Sequence, residues 1–204
     1  MNMTSARLVA LLVPMLSLSS CAAGDTNSNV HVVMTTALGD VEIEVFVEAA
    51  PKTAQNFLQL VDGGYLNGGT FYRVVSPEND HGSPVISVIQ GGIGDAESPL
   101  PPIAHESTED TGLRHTDGAM SMARGGVGTA TTEFFICIGD QPALDFGAAR
   151  NPDRQGFAVF GRVVAGMDVV RAIHQSPADA PTESEYVAGQ ILEVPVAIVS
   201  VERL

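Results

Sequence analysis

The feature that most constrains this chain is its punctuation: from Val30 onward, short apolar runs are cut repeatedly by glycine, proline, asparagine and aspartate. Runs of that length suit strands better than helices, and turn residues at that frequency send the chain back on itself. Residues 30–35 and 41–45 flank a turn at Leu38, Gly39 and Asp40, and Val41, Ile43 and Val45 alternate with Glu42 and Glu44. That alternation predicts a hairpin with one wet face. Further strands are expected over residues 70–75, 85–90, 119–124, 133–138, 156–164 and 194–201. Only two stretches carry helical spacing. Pro51 opens one in which Ala54, Phe57, Leu58 and Val61 share a face before Gly63 and Gly64, and residues 167–174 form the other. The chain is therefore mainly β, either a closed antiparallel barrel, whose ends two helices could plug, or a sandwich. Residues 76–84 and 176–190 are polar, proline-marked loops.

The N-terminus is a separate problem. Residues 1–21 contain no acid, one cation at Arg7, and an apolar run over 8–18 interrupted by Pro14. This run is too short to span hydrocarbon and fits the apolar region of an export signal. Leu18, Ser19, Ser20 and Cys21 resemble a bacterial lipoprotein box, which would make Cys21 the lipidated mature N-terminus. The alternative is an ordinary signal peptide cut after Ala22 or Ala23. Residues 22–29 are small and polar and read as a tether, leaving 30–204 as the folded domain. Without Arg7 the mature chain has nine basic residues, Lys52 the only lysine, against 24 acidic ones, a charge of −15. Such a surface cannot neutralise a run of phosphates and is repelled by anionic lipid, so nucleic-acid binding is excluded and membrane association would come only through a lipid anchor.

Several chemistries fail on pattern. The five histidines show no ligand spacing and no Cys-x-x-Cys occurs, so no metal is expected. No Gly-x-Ser-x-Gly elbow and no Walker loop is present. Cys137 lies in an apolar run and reads as a buried, inert thiol. What remains is Arg73, on an apolar strand where simple alternation puts Phe71, Arg73 and Val75 on one face. A guanidinium there needs acceptors, which Gln90 or Glu133 could supply; from physics alone an exposed edge-strand arginine is as good a reading as a site.

The segments Phe71-Tyr72-Arg73-Val74-Val75, Val88-Ile89-Gln90-Gly91-Gly92, Gly118-Ala119-Met120-Ser121-Met122-Ala123-Arg124, Glu133-Phe134-Phe135-Ile136-Cys137-Ile138 and the run from Gly156 to Val164 settle the matter differently. In this order, with the opening hairpin and a first helix beginning Ala50-Pro51-Lys52-Thr53-Ala54, the chain resembles a cyclophilin-type peptidyl-prolyl cis-trans isomerase over nearly all of residues 30–204. The resemblance implies a closed eight-stranded antiparallel barrel capped by two α-helices, with its site on the outer surface. It implies that Arg73 is the main catalytic group, with Gln90 helping to hold the substrate, and that Ala123 and Arg124 line the substrate backbone. Val88, Phe135 and Leu144 would wall a proline pocket, with Phe71, Glu133 and Phe157 adding contacts. Ser87 and Ala143 stand where the family usually has large aromatic groups, which implies a shallower pocket. Proline-containing unfolded polypeptides are the expected partners, acted on by a monomer without a cofactor at the periplasmic side of an envelope membrane. The alternative is a peptide-binding module or envelope chaperone on the same fold, with little turnover.

Overall fold

The computed structural model describes residue 1, residues 29–94 and residues 96–204; Cys21 and residues 22–28 of the tether lie outside the described residues. Eight strands, β1 (Val30–Thr36), β2 (Gly39–Val45), β3 (Thr70–Val75), β4 (Val88–Gly92), β5 (Ala119–Met122), β6 (Phe134–Cys137), β7 (Ala158–Ala165) and β8 (Ile191–Arg203), close into a barrel. Their order around it is β1-β2-β7-β5-β6-β4-β3-β8, every neighbouring pair antiparallel. The barrel, and not the sandwich, is the solution the chain adopts.

Inward-facing residues fill it. Phe71, Phe134 and Phe160 are fully buried, Phe71 and Phe134 meeting edge to face at 5.7 Å. Helix α1 (Pro51–Asp62) adds Phe57, which reaches Phe134 at 6.1 Å and Phe160 at 5.1 Å. Each such ring stabilises the fold by about 1.5–3 kcal/mol relative to leaving it in water. Helix α3 (Met167–His174) buries Val170 and Ile173. A further helical turn, α2 (Thr108–Thr111), was not expected from apolar spacing; it is held by a capping box in which the Ser107 hydroxyl accepts from the Asp110 N–H while the Asp110 carboxylate accepts from the Ser107 N–H.

A second apolar cluster lies on the outer surface of the barrel, comprising Val75, Ile86, Val88, Ala119, Phe135, Cys137, Leu144 and Val159. It exists because β6 is buried on both faces: Phe134 and Ile136 point inward while Phe135 and Cys137 join the outer cluster. Cys137 is fully buried, and burial pushes its thiol far above the ordinary value, so it stays protonated and inert.

The expected face sharing in β3 is corrected here. The ladder shifts register between Phe71 and Arg73, so that Phe71 faces Gly91 and Arg73 faces Gln90, with Tyr72 as the extra residue. Phe71 and Val74 therefore enter the barrel, while Arg73 and Val75 lie outside it.

Candidate active site

Above the outer cluster lies a cavity of about 190 Å³. Val75, Ile86, Val88, Ala123, Phe135, Leu144 and Phe157 give it apolar walls, and Arg73, Gln90, Arg124, Arg150, Asn151 and Tyr186 give it a polar rim. Eight of the ten contact residues inferred from sequence meet there. Two do not. Phe71 is fully buried inside the barrel, a consequence of the Tyr72 bulge, and Glu133 stands behind Gln90, bonded to Tyr72 instead of lining the cavity.

Arg73 is fixed from both sides by glutamine oxygens. Its Nε and Nη2 donate to Gln190 Oε1 at 2.9 and 2.6 Å, and its Nη1 donates to Gln90 Oε1 at 2.9 Å. The guanidinium carbon also sits 5.8 Å from the centre of the Tyr186 ring. Burial lowers its pKa from the ordinary guanidinium value, but not enough to discharge it. Of the five N–H donors of an arginine, three are used, and one each on Nη1 and Nη2 remains for a ligand.

The floor is rigid. Phe135 meets Phe157 edge to face at 5.2 Å and stacks on the His115 ring at 5.9 Å with only 13° between planes. His115 Nδ1 lies 2.8 Å from Asp145 Oδ1, and its Nε2 lies 3.1 Å from the Ser121 hydroxyl. Burial depresses the His115 pKa although Asp145 opposes this, so the ring is neutral, donating to Asp145 and accepting from Ser121. A serine, histidine and aspartate in line invite comparison with a hydrolytic triad. Ser121 is fully buried beneath the floor, however, and its hydroxyl is closed to substrate.

The two loops read as simple inserts build the rim. Asp80, in residues 76–84, accepts both Nη atoms of Arg150 at 2.7 and 2.9 Å and the N–H groups of Gly82 and Ile86. Arg150 also donates to the Pro84 carbonyl and the Tyr186 hydroxyl. Asn79 donates to the Gly189 carbonyl, and Gln190 Nε2 donates back to the Asn79 carbonyl. Burial works against ionising Asp80, but Arg150 and the two backbone donors more than offset it and hold the carboxyl below its usual value.

Arg124 is anchored elsewhere. It donates from Nε and Nη2 to the Gly156 carbonyl at 2.9 and 2.6 Å and pairs with Asp153 at 2.8 and 3.0 Å, an arrangement that pulls Asp153 down to about 2. Gly156 has φ of +61°, and a Cβ there would lie 2.5 Å from the Leu144 carbonyl oxygen; glycine alone fits. The guanidinium carbon of Arg124 lies 5.3 Å from the Phe157 ring centre.

Of the two positions expected to leave the pocket shallower, Ser87 lies 3.1 Å from His174 Nε2 and Ala143 packs against the outer cluster, while Ile86, next to Ser87, lines the cavity. Ile86 was legible as the first member of the alternating set Ile86, Val88 and Gln90. Arg150, Asn151 and Tyr186 carried no local signal, because only tertiary packing brings them to the cavity.

A cationic edge beside an apolar cavity on the outside of a closed barrel defines a site for a short apolar segment with polarised carbonyls. The model of the cyclophilin type peptidyl-prolyl cis-trans isomerase family matches residues 31–202, and the chain belongs to that family. It is 35% identical over 176 residues to peptidyl-prolyl cis-trans isomerase A of Dickeya dadantii, covering 84% of this chain and 85% of that one. It is likewise 35% identical over 180 residues to a peptidyl-prolyl cis-trans isomerase of Acinetobacter baylyi, covering 86% of each. Among solved structures, a cyclophilin type isomerase of Cryptosporidium parvum superposes with a TM-score of 0.67 over 86% of this chain and 98% of that one, at 21% identity, which concerns the fold alone. A second structure of that protein was determined in the presence of the dipeptide Ala-Pro, with a TM-score of 0.65.

Proposed function

We propose that this isomerase uses Arg73 to accelerate rotation about X-Pro bonds of exported, incompletely folded polypeptides, and that Cys21 tethers it to an envelope membrane on the periplasmic side. The observation that carries the catalytic reading is the pair of free Arg73 donors at the edge of an apolar cavity, on a guanidinium held by uncharged partners. The X-Pro amide resists rotation by ~18–20 kcal/mol because resonance gives its C–N bond double-bond character. Rotation breaks no bond. As the amide twists, its nitrogen loses conjugation and becomes a better acceptor, so an Arg73 N–H bonds it more strongly in the twisted state than in either planar one. Val88, Phe135 and Leu144 hold the ring, Gln90 and the Ala123–Arg124 stretch hold the preceding segment, and the carbonyl before proline turns.

Exchange NMR on a short X-Pro peptide tests the catalytic part: catalysed exchange is expected with the native chain, and its absence overturns the reading. The targeting part rests on residues 18–21 and the polar stretch after them. Cells fed labelled palmitate are expected to label the native protein and not Cys21→Ser. An unlabelled native protein in the soluble fraction removes the anchor and leaves a freely diffusing exported enzyme.

A further inference from the structure

The hydrogen bonds behind Arg73 run in one direction, and their chemistry leaves no other. A guanidinium has only donors, so Gln90 must turn its oxygen to it, as the 2.9 Å contact from Nη1 requires. Gln90 Nε2 then faces away and donates to the Tyr72 phenol oxygen at 2.8 Å. With that oxygen accepting, the Tyr72 hydrogen points onward to Glu133 Oε2 at 2.6 Å, the short distance expected for a charged acceptor. Glu133 is held in turn: its Oε1 accepts from the Gly94 N–H at 3.1 Å and from the Thr132 hydroxyl at 3.4 Å. Gly92, at φ +156°, makes room for it, since a Cβ there would fall 2.3 Å from Glu133 Oε1. Neither Tyr72 nor Glu133 lines the cavity. The bulge that puts Tyr72 beside Arg73 on the outer side of β3 is what makes the chain of bonds possible.

We propose that Glu133 and Tyr72 are positioning residues for the isomerase site: the carboxylate sets the direction of the Tyr72 hydroxyl, the hydroxyl sets the Gln90 amide, and the amide steers Arg73 toward the prolyl nitrogen. The inference rests on the isomerase reading above. Protonating Glu133 makes it a donor to Tyr72, which frees the Tyr72 hydroxyl to turn toward Gln90. The Gln90 oxygen is then contested by two donors, the Tyr72 hydroxyl and Arg73 Nη1, and the guanidinium loses part of its support on that side. The groups facing Glu133 are Tyr72 from β3, the Ile93 and Gly94 N–H groups from the segment after β4, and Thr132 beside it, with Arg73 the cation at the far end of the chain. Burial raises the Glu133 carboxyl above its ordinary value, its hydrogen bonds opposing, which brings its protonation toward neutrality. Burial and then Glu133 itself push Tyr72 well above the usual phenol value, so Tyr72 contributes no ionisation of its own.

The experiment measures kcat and KM for a proline peptide with the full chain from about pH 4.5 to 8, for wild type, Tyr72→Phe and Glu133→Gln, while recording the Gln90 side-chain amide signal by ¹⁵N NMR. Wild type is expected to lose kcat toward acid with one ionisation, and the Gln90 signal to move with the same midpoint. Tyr72→Phe is expected to lower kcat about 5- to 10-fold, the worth of one hydrogen bond, with KM within about twofold. Glu133→Gln keeps an oxygen for Tyr72 but has no proton to gain, so its acid limb and the Gln90 titration should vanish together. A wild-type kcat in Tyr72→Phe, a loss carried wholly by KM, or an acid limb that survives in Glu133→Gln overturns the proposal. A wild type without catalysis overturns the isomerase reading instead, and the Gln90 titration still decides whether the chain of bonds responds to Glu133.

Discussion

Arg73 and Arg150 line the same cavity and both touch Tyr186, yet they are held in opposite ways. Arg150 is bound by both nitrogens to Asp80, with side chains 5% and 1% exposed. Its charge is cancelled where it sits, and its work is to tie residues 76–84 to the C-terminal loop. Arg73 makes its hydrogen bonds to two glutamine oxygens, which orient the guanidinium without neutralising it. A carboxylate in their place would hold the side chain as firmly and compete for the donors that the twisted amide needs. The pair separates two uses of one residue type: a staple is matched to its counter-ion, whereas a cation solvated by dipoles keeps its charge and spare donors for a ligand, as the catalytic role proposed for Arg73 requires.

The most drastic way to break this contrast is Arg73→Ala, expected to cost about 2–4 kcal/mol of transition-state stabilisation, roughly 30- to 1,000-fold in turnover. Arg73→Lys should recover little, because an ammonium lacks the planar fork. Peptide affinity should change far less than turnover in the same NMR titration, and equal rates for wild type and variant would show that Arg73 does no chemistry. Asp80→Ala comes next: it strands Arg150 without its carboxylate, leaving only the Pro84 carbonyl and the Tyr186 hydroxyl, at about 1–3 kcal/mol. Hydrogen exchange should quicken in residues 76–84 and 176–190 and not in the barrel strands; a barrel-wide loss of protection would refute the staple. Acid should mimic it. The Asp80 carboxyl lies below its unfolded value of about 3.9, so its stabilisation is present above that pH and is lost as pH falls toward the lowered value.

Tyr186→Ala should have a smaller effect, about 0.5–1 kcal/mol, seen as a two- to fivefold weaker peptide affinity, since the half-exposed ring offers a face to Arg73 and its hydroxyl only one of the acceptors of Arg150. Tyr186→Phe sharpens this by keeping the ring and deleting the bond from Arg150; affinity that follows the hydroxyl and not the ring would reassign Tyr186 to the staple. The smallest effect is expected for Asp153→Asn, about 0–1 kcal/mol in a thermal melt, because Asp153 is partly solvated and the Gly156 carbonyl still holds Arg124.

What the sequence reveals of this molecule follows from range of interaction. Helix α3 spans the residues its spacing indicates, and α1 begins at Pro51, because caps and periodicity are local. Strand β4 starts later and runs on through Gly91 and Gly92, residues with no side-chain pattern to read, because their backbones pair with Phe134, Phe71 and Thr70. The face of Phe71 was misread for a related reason: a bulge depends on the partner strand, and a count along one strand passes over it. Arg73 and Gln90 stood out as a guanidinium and an acceptor on apolar strands, but the roles expected of them, and Phe135, came from the resemblance to a family. Tyr186 and Arg150 escaped because polar inserts look alike until they fold against each other. The capping box at Ser107 and Asp110, by contrast, was there to be read.

Closure of the barrel has a consequence for traffic at its surface. Among the described residues every strand has two hydrogen-bonded neighbours, so the sheet has no free edge. An extended polypeptide, with its own unpaired N–H and C=O groups, finds no template on which to add a ninth strand. An isomerase without a free edge is thereby less open to recruitment into β-aggregates of other chains.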